Sequence, residues 1–190
     1  IFNMALLWVG LLVTLYAVST ITAFLVEEHL GNFFKERKML SKIDALEGHY
    51  IVCGSGTTGE HVIDELYRTR RPFVVVELAA SRIEHMRLRY EDLPVVEGDA
   101  TDEKVLELAG IQRAAGVVCC LHDDSRNMLL TVLCSTAGNK NLRIVSKCTE
   151  HERVDAFRRA GATAVVSPNF IGGLRMASEI ARPHVTGFFD

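Results

Sequence analysis

Six residues, Gly54-Ser55-Gly56-Thr57-Thr58-Gly59, follow the apolar run Tyr50-Ile51-Val52-Cys53, and a carboxylate, Glu77, stands eighteen residues beyond the third glycine. A Gly-x-Gly-x-x-Gly turn between a strand and a helix can hold a pyrophosphate on backbone N–H groups at the positive end of the helix. Gly54 allows the tight turn, Gly56 lets the backbone approach the phosphates, and Gly59 lets the helix pack closely on the strand. Glu77 closes the run Phe73-Val74-Val75-Val76. At the tip of a second strand its carboxylate accepts bonds from both ribose hydroxyls and repels a 2′-phosphate, which favours NAD or an adenine nucleotide over NADP. The competing reading is a glycine-rich turn kept for packing alone.

The elements that must position these groups follow from the pattern downstream of His49. Apolar runs at 49–53, 73–77, 94–97, 116–121, 142–147 and 163–167 alternate with helix-compatible segments at 58–69, 79–90, 101–109, 124–138, 150–160 and 170–182. Continuous runs such as Gly116-Val117-Val118-Cys119-Cys120-Leu121 fit strands buried on both faces, hence a parallel sheet covered by helices. The expected fold is α/β: a Rossmann-like, doubly wound parallel sheet of order 3-2-1-4-5-6. The turn Gly98-Asp99-Ala100-Thr101-Asp102 supplies caps for the helix after strand three, and Asp123 or Asp124 does so after strand four.

Upstream, residues 1–26 carry no charged side chain, and 4–26 is apolar apart from scattered Ser, Thr and Gly. As a helix this stretch is roughly 35 Å long, enough to cross a hydrocarbon core of about 30 Å. It lacks the basic start and the small-x-small cleavage site of a signal peptide. The expectation is a transmembrane helix, and a chain that opens on Ile1 reads as part of a longer protein with earlier membrane segments. Lys35, Arg37, Lys38 and Lys42 follow the span, with Glu27, Glu28 and Glu36 among them. This positive excess places that side in the cytoplasm. The five cysteines, Cys53, Cys119, Cys120, Cys134 and Cys148, fall in apolar runs without Cys-x-x-Cys spacing, so they read as reduced core residues. A net charge of −3 with no basic, aromatic-rich stripe gives no support for a nucleic-acid partner.

The glycine turn, Glu77, Gly98-Asp99-Ala100-Thr101, Leu142-Arg143-Ile144-Val145-Ser146-Lys147 and Ala160-Gly161-Ala162-Thr163-Ala164-Val165-Val166-Ser167-Pro168 together resemble the RCK domain, the regulator of K⁺ conductance. The segment upstream resembles the inner pore helix of a two-span potassium channel with its linker. The resemblance implies a pore-lining span at 1–26, a cytoplasmic linker at 27–47, an RCK N-lobe at 48–168, and a crossover helix at 169–190 that stops before the dimerising C-lobe. It implies a potassium channel at the inner membrane, tetrameric at the pore with a homo-oligomeric RCK ring, gated by NAD or by ADP or ATP. Gly54 to Gly59 would hold the phosphates and Glu77 the ribose. Asp99 with Ala100 would line the adenine side, and Lys147 would reach phosphate or the far end of a dinucleotide. Asp99 also reads as a helix cap, and Lys147 as a solvated strand-end charge. The family's calcium-binding positions fall here on Cys120, Lys147 and Thr149, a set that argues against calcium gating through that site. No Thr-Val-Gly-Tyr-Gly-like filter occurs in the 190 residues, so potassium enters only through the resemblance. Gly10, at mid-span, reads equally as a bending point or a close helix contact.

Two other classes compete. A regulatory tail of a cation/proton antiporter or a potassium uptake system carries the same domain. A membrane-anchored NAD-dependent oxidoreductase would need an acid or base beside the nicotinamide and a substrate pocket. His122 stands where such a group belongs but has no assignable partner in the sequence, so the expected reading is not an enzyme. Asp123-Asp124 reads as a helix cap in preference to a metal site.

Overall fold

The computed structural model describes residues 4, 8, 10–20, 37 and 39–181. The chain divides into two compact units, residues 1–41 and 42–190. In the first, residues 10–20 are helical and exposed. The hydroxyls turn back onto this helix: Thr14 Oγ1 donates to the carbonyls of Gly10 and Leu11, and Thr20 Oγ1 to that of Tyr16. Such back-bonding satisfies a hydroxyl without an outside partner. A Cβ on Gly10 would meet nothing within 4 Å. Among the described residues no helix is long and apolar enough to cross a membrane. The other residues of the predicted span, most of the predicted linker and residues 182–190 lie outside the described residues.

Among the described residues of the second unit six strands alternate with six α-helices. The strands are β1 (Tyr50–Cys53), β2 (Phe73–Glu77), β3 (Val95–Glu97), β4 (Gly116–Cys119), β5 (Arg143–Lys147) and β6 (Ala164–Val166). The helices are α1 (Thr57–Arg68), α2 (Ala80–Arg89), α3 (Glu103–Leu108), α4 (Asp124–Thr136), α5 (Val154–Arg159) and α6 (Pro168–Ala181). The sheet runs β3-β2-β1-β4-β5-β6, every pair parallel, as the alternation of runs and helices predicts.

Burial explains the composition of the strands. All five residues of β2 are buried, and Ile51, Val52, Val74 and Val75 are wholly inaccessible, because helices cover both faces. One core layer joins Val52 and Val75 to Phe73, Ile63 of α1, and Ile83 and Met86 of α2. Two parallel strands whose C-terminal ends feed helices to opposite faces leave a gap between them. Here that gap opens between β1 and β4, where the strand order reverses.

Helix boundaries follow capping chemistry. Asp102 accepts from the Lys104 N–H at 3.0 Å and caps α3, and Asp123 accepts from the Arg126 N–H at 3.0 Å and caps α4. Pro168 opens α6 two residues earlier than the apolar pattern alone suggests, at a position where a missing N–H costs nothing. The predicted helix 150–160 splits into a 3₁₀ turn at His151–Arg153 and the shorter α5. All five cysteines are free and buried.

The segment entering β1 is tied to the N-terminal end of the sheet. Arg113 donates to the carbonyls of Leu46 (3.0 Å) and Ile43 (3.1 Å) and to Asp44 Oδ1 (3.0 Å). Ile43 is fully buried. His49, also inaccessible, places Nε2 2.8 Å from the Ala109 carbonyl.

Candidate nucleotide-binding site

The glycine turn performs three different jobs. Gly54 has φ +93°, a conformation that side chains rarely adopt, and a Cβ there would press on the Cys120 carbonyl oxygen at 3.0 Å. A Cβ on Gly59 would stand 1.9 Å from the Gly54 carbonyl oxygen, so only glycine lets α1 sit this close to the end of β1. Gly56 is different. The nearest group to a Cβ there is Arg82 Nη1 at 3.8 Å, so its bare backbone serves no packing need and faces open space.

That space is a crevice of about 630 Å³ at the switch point. Gly54, Gly56, Thr57, Thr58, Glu77, Asp99, Ala100 and Lys147 line it, gathering eight of the ten residues singled out from the sequence. The other two stand behind them. Gly59 is used in helix packing, and Ser55 turns its side chain onto Glu77.

Glu77 is 6% exposed, and its carboxylate is nearly saturated. Oε2 accepts from the Ser55 N–H and hydroxyl, both at 2.7 Å, and Oε1 accepts from the N–H groups of Leu78 and Ala79, both at 3.0 Å. Arg82 Nη1 lies 3.8 Å from Oε2. Burial pushes this carboxyl's pKa up. The bonds from Ala79 and Ser55, with the Arg82 charge, outweigh it and hold the pKa below the usual value. The group is therefore anionic, fixed in place, and aimed by the turn it supports. Of the four donors, only the Ser55 hydroxyl can rotate about its own bond and turn away from the carboxylate.

Asp99 follows β3. Its Oδ1 accepts from the Thr101 N–H (2.9 Å) and hydroxyl (2.7 Å) and from Arg126 Nη2 (2.6 Å). The Thr101 N–H contributes most to lowering its pKa; partial burial opposes this, and the Thr101 hydroxyl and Arg126 add to it. The helix cap foreseen for this turn falls to Asp102, and Asp99 stabilises the turn itself. Lys147 ends β5 and makes no ion pair among the described residues, which leaves its ammonium to the crevice. Burial pushes the Cys120 thiol up to about 12, with Cys119 adding to the rise and Lys147 opposing it, so this crevice thiol stays protonated at neutral pH.

Two charged lining residues escaped the sequence reading, Arg82 and Arg126. Each stands in the first turn of a helix that starts at the C-terminal edge of the sheet. That position was the available signal. The acidic pair after β4 also divides its work. Asp123 caps α4, whereas Asp124, 8% exposed, accepts from the N–H groups of Thr149 (2.9 Å) and Glu150 (3.1 Å) and pins the loop after β5.

A parallel sheet with this order, a glycine turn after its first strand and an acid at the end of its second defines a Rossmann-type domain. The TrkA-N domain family matches residues 50–168, and the chain belongs to that family, the RCK class that the sequence resembles. "Probable potassium channel protein 2" of Methanocaldococcus jannaschii is 36% identical over 185 residues, which is 97% of this chain and 54% of the relative. "Potassium channel protein 1" of the same organism is 31% identical over 173 residues, 91% of this chain and 52% of the relative. The chain thus spans about half the length of these curated relatives. Among solved structures, GsuK bound to ADP superposes with a TM-score of 0.62 at 31% identity, covering 74% of this chain and 36% of that one. The GsuK channel bound to NAD gives 0.58 at 26% identity, covering 65% and 22%.

Proposed function

We propose that this chain is the nucleotide-sensing module and inner helix of a potassium channel, with the Rossmann domain in the cytoplasm and residues 4–26 in the membrane. The carrying observation is the crevice itself: a bare Gly56 backbone, a fixed anionic Glu77 and a Lys147 with no ion pair among the described residues face one volume of about 630 Å³. The size falls in the ordinary range for small-molecule sites. Phosphates lie against Gly56, Thr57 and the start of α1, the ribose against Glu77, and the base toward Asp99 and Ala100. The potassium channel relatives and the ADP- and NAD-bound GsuK structures support the same assignment.

The domain works as a sensor and not as an enzyme. Its one crevice thiol is held protonated, and His122, which lines the crevice beside Asp123, makes no hydrogen bond or ion pair among the described residues. A nucleotide that binds one arrangement of an RCK assembly better than another shifts the population, and the segment entering β1, held by Arg113, passes the movement toward the pore helix. The assembly is a homo-oligomeric ring beneath a fourfold pore. Calorimetry on the purified chain in detergent tests the binding step. ADP and NAD should each bind one site per chain, each should displace the other, and NADP should bind more weakly. Absence of binding by all three would reject the assignment.

A further inference from the structure

The sequence-based assignment leaves Arg126 without a role, yet its backbone N–H and its guanidinium are both hydrogen-bonded. Asp99 follows β3 and Arg126 follows β4, and in the order β3-β2-β1-β4 the glycine turn of β1 lies between them. An ion pair of 2.6 Å between these two side chains therefore spans the crevice. We infer that Arg126 is a base-stacking residue, its guanidinium plane held by Asp99 against the adenine of a nucleotide bound as proposed above.

Both ends of the side chain are anchored. The backbone N–H of Arg126 is fixed by the Asp123 cap at 3.0 Å. At the other end, Asp99 is itself oriented by the Thr101 N–H and hydroxyl. A planar cation held this way loses little freedom when a ring slides against it, and an arginine plane on an aromatic face is a favourable contact. The pair makes a poor structural brace. Its side chains are 45% and 40% exposed, and solvated ion pairs contribute little to stability. A phosphate role fits less well. Neighbouring strands lie about 4.8 Å apart, so the β3 edge that anchors the guanidinium is on the order of 10 Å from the glycine turn after β1. Asp99 Oδ2 takes none of the three bonds that converge on Oδ1, and remains for an amine donor on the same base.

The inference rests on the nucleotide reading, and one experiment separates the two. The 190-residue chain, Arg126→Ala and Arg126→Lys are titrated in detergent with ADP and with inorganic pyrophosphate, and the hypochromic change of the adenine ultraviolet band is followed on binding. Both substitutions should weaken ADP by about 5- to 30-fold, leave pyrophosphate unchanged and reduce the hypochromism. Lysine should fail to rescue because it carries the charge without the plane. Equal losses for ADP and pyrophosphate, or recovery in Arg126→Lys, would make Arg126 a phosphate ligand and overturn the inference. So would ADP affinity and hypochromism unchanged in Arg126→Ala, which would leave a surface ion pair. The hypochromism decides the matter if pyrophosphate binds too weakly to titrate. Failure of the unsubstituted chain to bind ADP would remove the nucleotide reading and this inference together.

Discussion

Replacing Glu77 by Gln preserves shape and removes one charge, and its effect follows from four hydrogen bonds. The carboxylate receives two donors on Oε2, from Ser55 at 2.7 Å, and two on Oε1, from Leu78 and Ala79 at 3.0 Å. A glutamine amide offers one acceptor oxygen and one NH₂ group, so whichever way it turns, NH₂ faces a pair of donors. With NH₂ toward Ser55, the hydroxyl rotates to accept from it and only the Ser55 N–H is stranded. With NH₂ toward Leu78 and Ala79, two N–H groups are stranded. The first arrangement is preferred. It loses one charge-assisted bond outright and weakens three to neutral strength, at about 1.5–3 kcal/mol for the lost bond and several tenths for each of the others. Water entering from the crevice offsets part of this, leaving a destabilisation of about 2 kcal/mol. For a domain of this size that lowers the Tm by roughly 4–8 °C. Thermal unfolding of the chain and of Glu77→Gln at pH 7 measures the difference. The lowered pKa of Glu77 adds a second check. Its contribution is present above the unfolded carboxyl value near 4.5 and is lost as pH falls through the lower folded value, so the two proteins should converge in acid. A Tm difference below about 1 °C at pH 7 would refute the view that Glu77 organises the turn.

Three further substitutions have defined outcomes. His49 is buried and its pKa lowered, by desolvation first and by Arg113 in addition, against the opposing bonds to the carbonyls of Ala109 and Leu46. Stability from the neutral ring is therefore present above the unfolded value near 6.5 and lost as pH falls below it, and His49→Gln should flatten the Tm decline between pH 7 and 5. Parallel Tm profiles would show that His49 does not titrate in this range. Gly59→Ala should destabilise by about 3 kcal/mol, because its Cβ meets a backbone oxygen at 1.9 Å, whereas Gly56→Ala should stay within about 0.5 kcal/mol and weaken nucleotide binding. Equal stability losses at the two positions, read by urea unfolding, would contradict the separate roles given to these glycines.

The strand order and the lining of the crevice were legible because local constraints carry them. A turn at φ +93° calls for glycine, and strands buried on both faces, such as Phe73-Val74-Val75-Val76, call for continuous apolar runs. Pairings between distant residues have no such local signature. Ser55 reaches Glu77 across 22 positions, Asp99 reaches Arg126 across 27, and Asp124 reaches Thr149 across 25, and only the fold brings them together. Ser55 in particular was assigned to phosphate from its place in the motif, and the structure turns it to the acid. The split of 150–160 has a similar origin, since the bonds from Thr149 and Glu150 to Asp124 hold the chain where a helix would otherwise begin. Arg82 and Arg126 are charged residues in exposed first turns, a setting that most often means solvent.

The proposed nucleotide control of potassium movement is tested most directly by flux from liposomes containing a channel that carries this chain, with ADP or NAD added on the side of the Rossmann domain. Flux should change with nucleotide concentration over the range in which binding saturates, and Gly56→Ala should shift both curves together. A nucleotide that saturates the crevice while flux stays constant would contradict the gating role.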